Sequence, residues 1–178
     1  MLRVDIILDR DGVINLDSDA YVKSADEWIP IASSIKAISQ LHQAGHRVFV
    51  ATNQSGIGRG YFSLETLNAM HEKMLTLIHQ AGGEITGIAY CPHSPDDNCC
   101  CRKPKAGLYE QLALKHHIKL NESIVIGDSL RDLVAAKMVG ASPILVLTGK
   151  GQKTKQQNPS LSYPIYENLY DASQALLS

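Results

Sequence analysis

No basic cluster interrupts these 178 residues, in which 17 lysines and arginines stand against 18 acids for a formal charge of −1. A protein whose routine partner is a nucleic-acid backbone needs such a cluster, so the sequence argues against that class. Long apolar runs are missing as well. No stretch is long enough to span a bilayer, and the chain enters a strand almost at once, without a basic leader and an apolar signal core. The expected setting is therefore cytoplasmic, with no membrane partner. The length leaves no room for a large second domain, and a hydrophobic content of 44% suits one soluble domain over residues 1–178. Cysteine is absent outside Cys91, Cys99, Cys100 and Cys101, and in a reducing compartment so compact a set reads as a metal site rather than a disulfide framework. The glycine-rich stretch after Thr52 lacks the Walker lysine pattern and the dinucleotide spacing, so its composition alone is weak evidence for a phosphate cradle.

What is present begins with Ile6-Ile7-Leu8-Asp9-Arg10-Asp11-Gly12. A continuous apolar run of this kind reads as a buried parallel strand, and open α/β sheets place ligands just beyond the carboxyl ends of their strands. Side chains two apart on an extended segment share a side, so Asp9 and Asp11 are expected to face one reaction space with Arg10 turned away. Two carboxylates so close repel unless a cation lies between them, and hard oxygen ligands suit magnesium. Solvated acids at a strand end are the bland alternative.

Residues 47–51 read as a second strand, leading into Thr52-Asn53-Gln54-Ser55-Gly56-Ile57-Gly58-Arg59-Gly60. A third strand, 85–90, runs into Cys91, a fourth, 123–127, ends at Asp128, and a fifth covers 143–148. Helical spacing of apolar residues follows at 31–41, from an N-cap at Ser63 through Ile78, at 107–117 and at 130–139. This alternation predicts a three-layer, doubly wound, mainly parallel sheet without a large cap. The segment 149–162 reads as a polar, mobile loop, and 163–178 as an edge strand with a closing helix. The polar loop from Leu16 to Pro30 brings Asp17, Asp19, Tyr21 and Trp28 beside the proposed site, as a specificity element or as a plain solvated connection. His71 and His79 are spaced wrongly for a shared metal and read as surface or boundary residues.

Cys91-Pro92-His93 and Cys99-Cys100-Cys101 form two short arms. A structural zinc takes a closed tetrahedral set of thiolates and imidazole, which Cys91, His93, Cys99 and Cys101 can supply at residues 91–101 with Cys100 directed elsewhere. Unrelated buried thiols are the alternative. Arg102 and Lys103 follow directly, where a knotted loop would hold two cations over a phosphate with little ordering cost. Thr52 can donate its hydroxyl to a phosphoryl oxygen, and Arg59 could reach a second anionic group or simply face solvent.

The stretch Asp9 to Asn15 resembles the first motif of haloacid dehalogenase superfamily phosphatases. That resemblance implies Asp9 as nucleophile and Asp11 as general acid and base. It implies Thr52 as the second-motif hydroxyl, Lys103 as the third-motif lysine and Asp128 as the fourth-motif acid. Magnesium would be held by Asp9, Asp11 and Asp128, with Asp132 a supporting acid or an ordinary helix-turn acid. Asn53, Gln54, Ser55 and Arg102 look like substrate contacts, beside Asp17, Asp19, Tyr21 and Arg59. Cys-Pro-His followed by Cys-x-Cys-Arg-Lys-Pro resembles the zinc loop of heptose bisphosphate phosphatases and bacterial histidinol phosphatases, and the form of residues 52–60 is similar to the heptose branch. The activity implied is magnesium-dependent removal of the 7-phosphate of a heptose 1,7-bisphosphate through an aspartyl-phosphate, in nucleotide-activated heptose biosynthesis. Histidinol phosphate is the alternative substrate, and a polynucleotide 3′-phosphate is a more distant one. The expected partner is a small phosphorylated sugar, acted on by a monomer.

Overall fold

The structure, a computed structural model, describes residues 3–178. Six parallel strands form one sheet in the order β3-β2-β1-β4-β5-β6, with β1 at Asp5–Leu8, β2 at Arg47–Asn53, β3 at Gly87–Cys91, β4 at Ile124–Gly127, β5 at Ser142–Val146 and β6 at Ile165–Tyr166. Helices α1 (Ala32–Gln43), α2 (Ser55–Gly58), α3 (Leu64–Gln80), α4 (Gly107–His116), α5 (Leu130–Met138), α6 (Gly151–Gln157) and α7 (Leu169–Leu177) connect and cover them. The predicted doubly wound architecture is thus present. Among the described residues no helix is long and apolar enough to cross a membrane.

Strand β1 is the hub, hydrogen-bonded to β2 on one side and β4 on the other, and Ile6, Ile7 and Leu8 are completely buried. Its side chains alternate between two cores, as the strand period requires. Ile6 and Leu8 join Val48 and Val50 under α1, α3 and α7. Ile7 joins Phe49, Ala51 and Val125 under α4 and α5. The sheet runs out from β1 in both directions, so a crevice opens at the carboxyl ends of β1 and β4. Asp9 and Asp128 are the first residues beyond those two ends, and the Asp9 amide extends the ladder to the Ile126 carbonyl at 3.0 Å.

Several expectations need correction. The segment read as a mobile loop at 149–162 contains helix α6, held down by Thr154, whose hydroxyl donates to the Asp128 carbonyl at 2.8 Å. Its inner face is Gly151 and Thr154, so no apolar stripe betrays it. Trp28, placed in a polar loop, is completely buried, and Lys73 of α3 fastens that loop through the carbonyls of Ala25 and Trp28. His71 is not a surface residue: it is buried on the inner face of α3, while His79 is exposed.

Candidate active site

A cavity of about 220 Å³ opens at the carboxyl end of the sheet. Asp9, Asp128 and Asp132 each bring a carboxylate oxygen within 4.8 Å of the others. The backbone allows this closeness: Gly12, at φ +83, sits so tightly over the Asp128 carboxylate that a Cβ there would collide with it.

Lys103 lies between two of these acids. Its Nζ donates to Asp9 Oδ1 at 3.0 Å, to Asp132 Oδ1 at 2.6 Å and to the Ala51 carbonyl at 2.7 Å. All three ammonium donors are thereby satisfied. Burial works to lower the Lys103 pKa, but Asp132 and Asp9 outweigh it and push the group up, so the lysine stays charged. Asp132 turns its other oxygen to Ser129, capping α5 through the Ser129 amide and hydroxyl. Both readings of Asp132 therefore meet in one side chain.

One lysine does not neutralise this group. Burial, then the Asp132 charge, pushes Asp9 up to about 7, and burial, then Asp9, pushes Asp128 up to about 8. Crowded, desolvated carboxylates of this kind favour a cation placed among them. Of the three, Asp132 is already committed to Lys103 and Ser129, which leaves Asp9 and Asp128 as the available ligands.

Asp11 is placed differently from the expectation that its carboxylate joins the magnesium set. It lines the same cavity, but its Oδ1 accepts from Arg10 and Asn15 and its Oδ2 from Gln54 at 3.0 Å. Burial alone would raise Asp11, yet the Arg10 charge and the bonds from Asn15, Arg10 and Gln54 prevail and hold it below the usual carboxylate range. Alternation correctly turns Arg10 from the cavity, but β1 ends at Leu8, and beyond it the guanidinium curls back onto Asp11.

Of the remaining predicted residues, Asp17, Asp19, Tyr21, Ser55 and Arg102 line the cavity. Tyr21 holds a left-handed backbone at φ 66, with its ring packed edge-on to Tyr61 at 5.0 Å. Asn53 and Gln54 also line it, but with their amides committed. Asn53 clamps the Lys103 main chain with two bonds of 3.0 Å, and Gln54 bridges Asp11 and the buried Thr52 hydroxyl. Arg59 is exposed and outside the lining. Sequence reasoning missed Arg131 and Lys150, both in the wall. Arg131 stands between Asp128 and Asp132 in the fourth motif, which could have flagged it. Lys150 pairs with Asp17 at 3.5 Å and donates its amide to Asp128 Oδ2 at 2.8 Å. Arg102 and Arg131 make no ion pair among the described residues, and Nη1 of Arg102 is buried with no hydrogen-bond partner. Burial, then the Arg131 charge, lowers the Arg102 pKa.

Beyond β3, Cys91, His93, Cys99 and Cys101 converge within 4.8 Å, while Cys100 is exposed. Cys91 Sγ lies 3.6 Å from Cys99 Sγ and 3.5 Å from His93 Nδ1, which in turn lies 3.4 Å from Cys101 Sγ. A tetrahedron with zinc–sulfur bonds near 2.3 Å has edges of about 3.8 Å; these three separations come close to that, whereas Cys101 Sγ lies 3.1 Å from Cys91 Sγ, tighter than the ion would hold it. Burial, then Cys91 and Cys99, pushes Cys101 up to about 12; crowded thiols of this kind ionise together only around a cation.

A family model described as HAD-hydrolase-like matches residues 100–172. The chain is 53% identical over 176 residues to the D-glycero-beta-D-manno-heptose-1,7-bisphosphate 7-phosphatase of Neisseria meningitidis serogroup A, covering 97% of this chain and 94% of that one. It is 51% identical over 177 residues to the enzyme of that name from Pseudomonas aeruginosa, covering 99% of each. The crystal structure of the D,D-heptose 1,7-bisphosphate phosphatase from B. bronchiseptica, complexed with magnesium and phosphate, superposes with a TM-score of 0.94 at 48% identity over 98% of both chains. The chain belongs to the heptose-1,7-bisphosphate 7-phosphatase family of haloacid-dehalogenase-like hydrolases.

Proposed function

We propose that this protein hydrolyses the 7-phosphate of D-glycero-beta-D-manno-heptose 1,7-bisphosphate, acting as a monomer on this small molecule. The observation that carries the reading is a single cavity holding a carboxylate pair with its lysine and, in the same wall, two arginines without acidic partners. The first set suits a phosphoryl group being transferred, the second a phosphate that is only held. The resemblance in the loop at 52–60 and the names of relatives covering nearly the whole chain support the same substrate.

Asp9 keeps Oδ1 against Lys103 Nζ and the Arg10 amide, so Oδ2 is the oxygen that attacks phosphorus. Asp11 rests as a carboxylate; the proton it takes up once the anionic phosphate enters beside it goes to the sugar oxygen as that bond breaks. Water then attacks the aspartyl-phosphate, gives its proton to Asp11 and frees Asp9. Lys103 holds the Asp9 carboxylate in place and sets its charge beside the transferring group. Asp9 and Asp128 are the ligands assigned to magnesium, which supplies charge neutralisation at the phosphoryl oxygens when bound. Cys91, His93, Cys99 and Cys101 are assigned to a structural zinc. That knot fixes the chain just ahead of Arg102 and Lys103.

The test is turnover of the heptose bisphosphate, histidinol phosphate and a 3′-phosphorylated oligonucleotide side by side, with the product identified by phosphorus NMR. The expected result is a clear preference for the bisphosphate and a product that retains phosphate at carbon 1. Preference for histidinol phosphate would move the chain to the sister activity.

A further inference from the structure

The side chain of Arg10, between the two acids, takes no part in the reaction above, yet the residue is completely buried. A charge is kept in that position only when it is paired and hydrogen-bonded. Its guanidinium works in two directions. Nε and Nη2 grip Asp11 Oδ1 at 3.1 and 2.8 Å, and Nη1 lies 3.2 Å from Nε2 of the buried His71 on α3. Arginine only donates, so that ring nitrogen accepts and the imidazole proton sits on Nδ1. Burial, then the Arg10 charge, lowers His71 to about 3, which keeps it a neutral acceptor.

The consequence falls on Asp11. Asn15 Nδ2 adds a third donor to Oδ1 at 2.8 Å, so this oxygen is saturated and cannot also carry a proton. Oδ2 has Gln54 alone. We infer that His71 and Arg10 are positioning residues, which lock the plane of the Asp11 carboxylate and reserve Oδ2 as the atom that gives a proton to the leaving oxygen and later takes one from water. Without the fork the two oxygens could exchange by rotation about Cβ–Cγ. His71 supplies the fork's far anchor from a helix that otherwise stands apart from the chemistry. This rests on Asp11 being the acid and base.

The test compares two esters by kcat/KM, which covers events only through the first cleavage and so excludes breakdown of the phosphoenzyme. One ester is the heptose bisphosphate, whose alkoxide needs a proton to leave; the other is p-nitrophenyl phosphate, whose phenolate does not. His71→Leu should lose about tenfold or more on the sugar ester and less than about threefold on the aryl ester, within the range a general acid contributes. His71→Gln, whose side-chain carbonyl can accept from Arg10, should recover most of the loss. Arg10→Lys should show the same bias more strongly, because a point charge cannot fork. Equal losses on both esters, or no loss in folded His71→Leu, would overturn the proposal. Should His71→Leu fail to fold, Arg10→Lys decides between the same outcomes on the same two esters. Asp11→Asn separates the acid from its supports: with no ester bias there, the acid-base role of Asp11 itself fails, whereas bias there without bias at His71 and Arg10 removes only their positioning role.

Discussion

Replacing Asp9 by Asn removes the oxyanion placed for attack, while Asp132 is tied to Lys103 and Ser129 and Asp11 to Arg10, Asn15 and Gln54. Asp9→Asn should abolish turnover and trap no covalent phosphate, whereas Asp11→Asn should still form a phosphoenzyme and release it slowly. Rapid-quench labelling with radioactive phosphate checks both. Arg102, with an unpartnered buried Nη1, should act through the phosphate that stays. Arg102→Ala should reduce the advantage of bisphosphate over monophosphate by about 1.5–3 kcal/mol, the worth of a hydrogen bond to a charged group. Equal losses in kcat/KM on both substrates would confine Arg102 to supporting its loop. Asp9 and Asp128 were legible because they stand just past strands, where the apolar runs point to them, whereas Thr52 lies buried inside β2 and outside the cavity wall, and Lys103 reaches Asp9 from a loop beyond β3. Arg10, His71 and the Asn53 clamp were not legible, because each is defined by a partner distant in sequence or by a backbone that has already left the strand.

At the scale of elements, helix α5 depends on a side chain that also serves the site. Asp132→Ala deletes the cap and leaves Lys103 short of a partner in a nearly solvent-free position. It should cost about 3–5 kcal/mol, as breaking a buried pair does, measured by urea unfolding. The loop between β3 and α4 presents the reverse case, an element without a core of its own. Stripping zinc with a strong chelator should lower activity even with magnesium in excess, because Arg102 and Lys103 lose their fixed approach. Readdition of zinc should restore both the activity and thiol protection of Cys91, Cys99 and Cys101. The strands were readable from short apolar runs, and α1 and α3 from their apolar spacing. Helix α6 was not, since glycine and threonine face inward there and the reward is a hydrogen bond to Asp128 rather than apolar area.

For the molecule as a whole, the two acids with raised values work against stability as they ionise. Asp9 at about 7 and Asp128 at about 8 both lie above their ordinary 3.8, so the metal-free folded chain holds protons that the unfolded chain has released. Raised carboxylate values mean that stability falls as pH rises from about 4 to 8. Magnesium binds the ionised forms and reverses that trend, so the rise in Tm that it produces should grow over this window. Thermal melts with and without magnesium at each pH measure it; a rise that stays flat with pH would remove these acids as the ligands.

The two metal sets differ in how much chain they gather. The residues assigned to zinc lie within eleven positions, whereas the pair assigned to magnesium joins residue 9 to residue 128. Closing the longer loop costs about 2 kcal/mol more in chain entropy. A chain emerging from the ribosome can therefore knot its cysteines while β4 is still unmade, with β2 and β3 already available to pair beside them. Magnesium has nothing complete to bind until the second half of the sheet has docked on β1. On the assignments proposed above, the cysteine set should therefore fill before the magnesium pair exists, so metal uptake would follow the order of the chain.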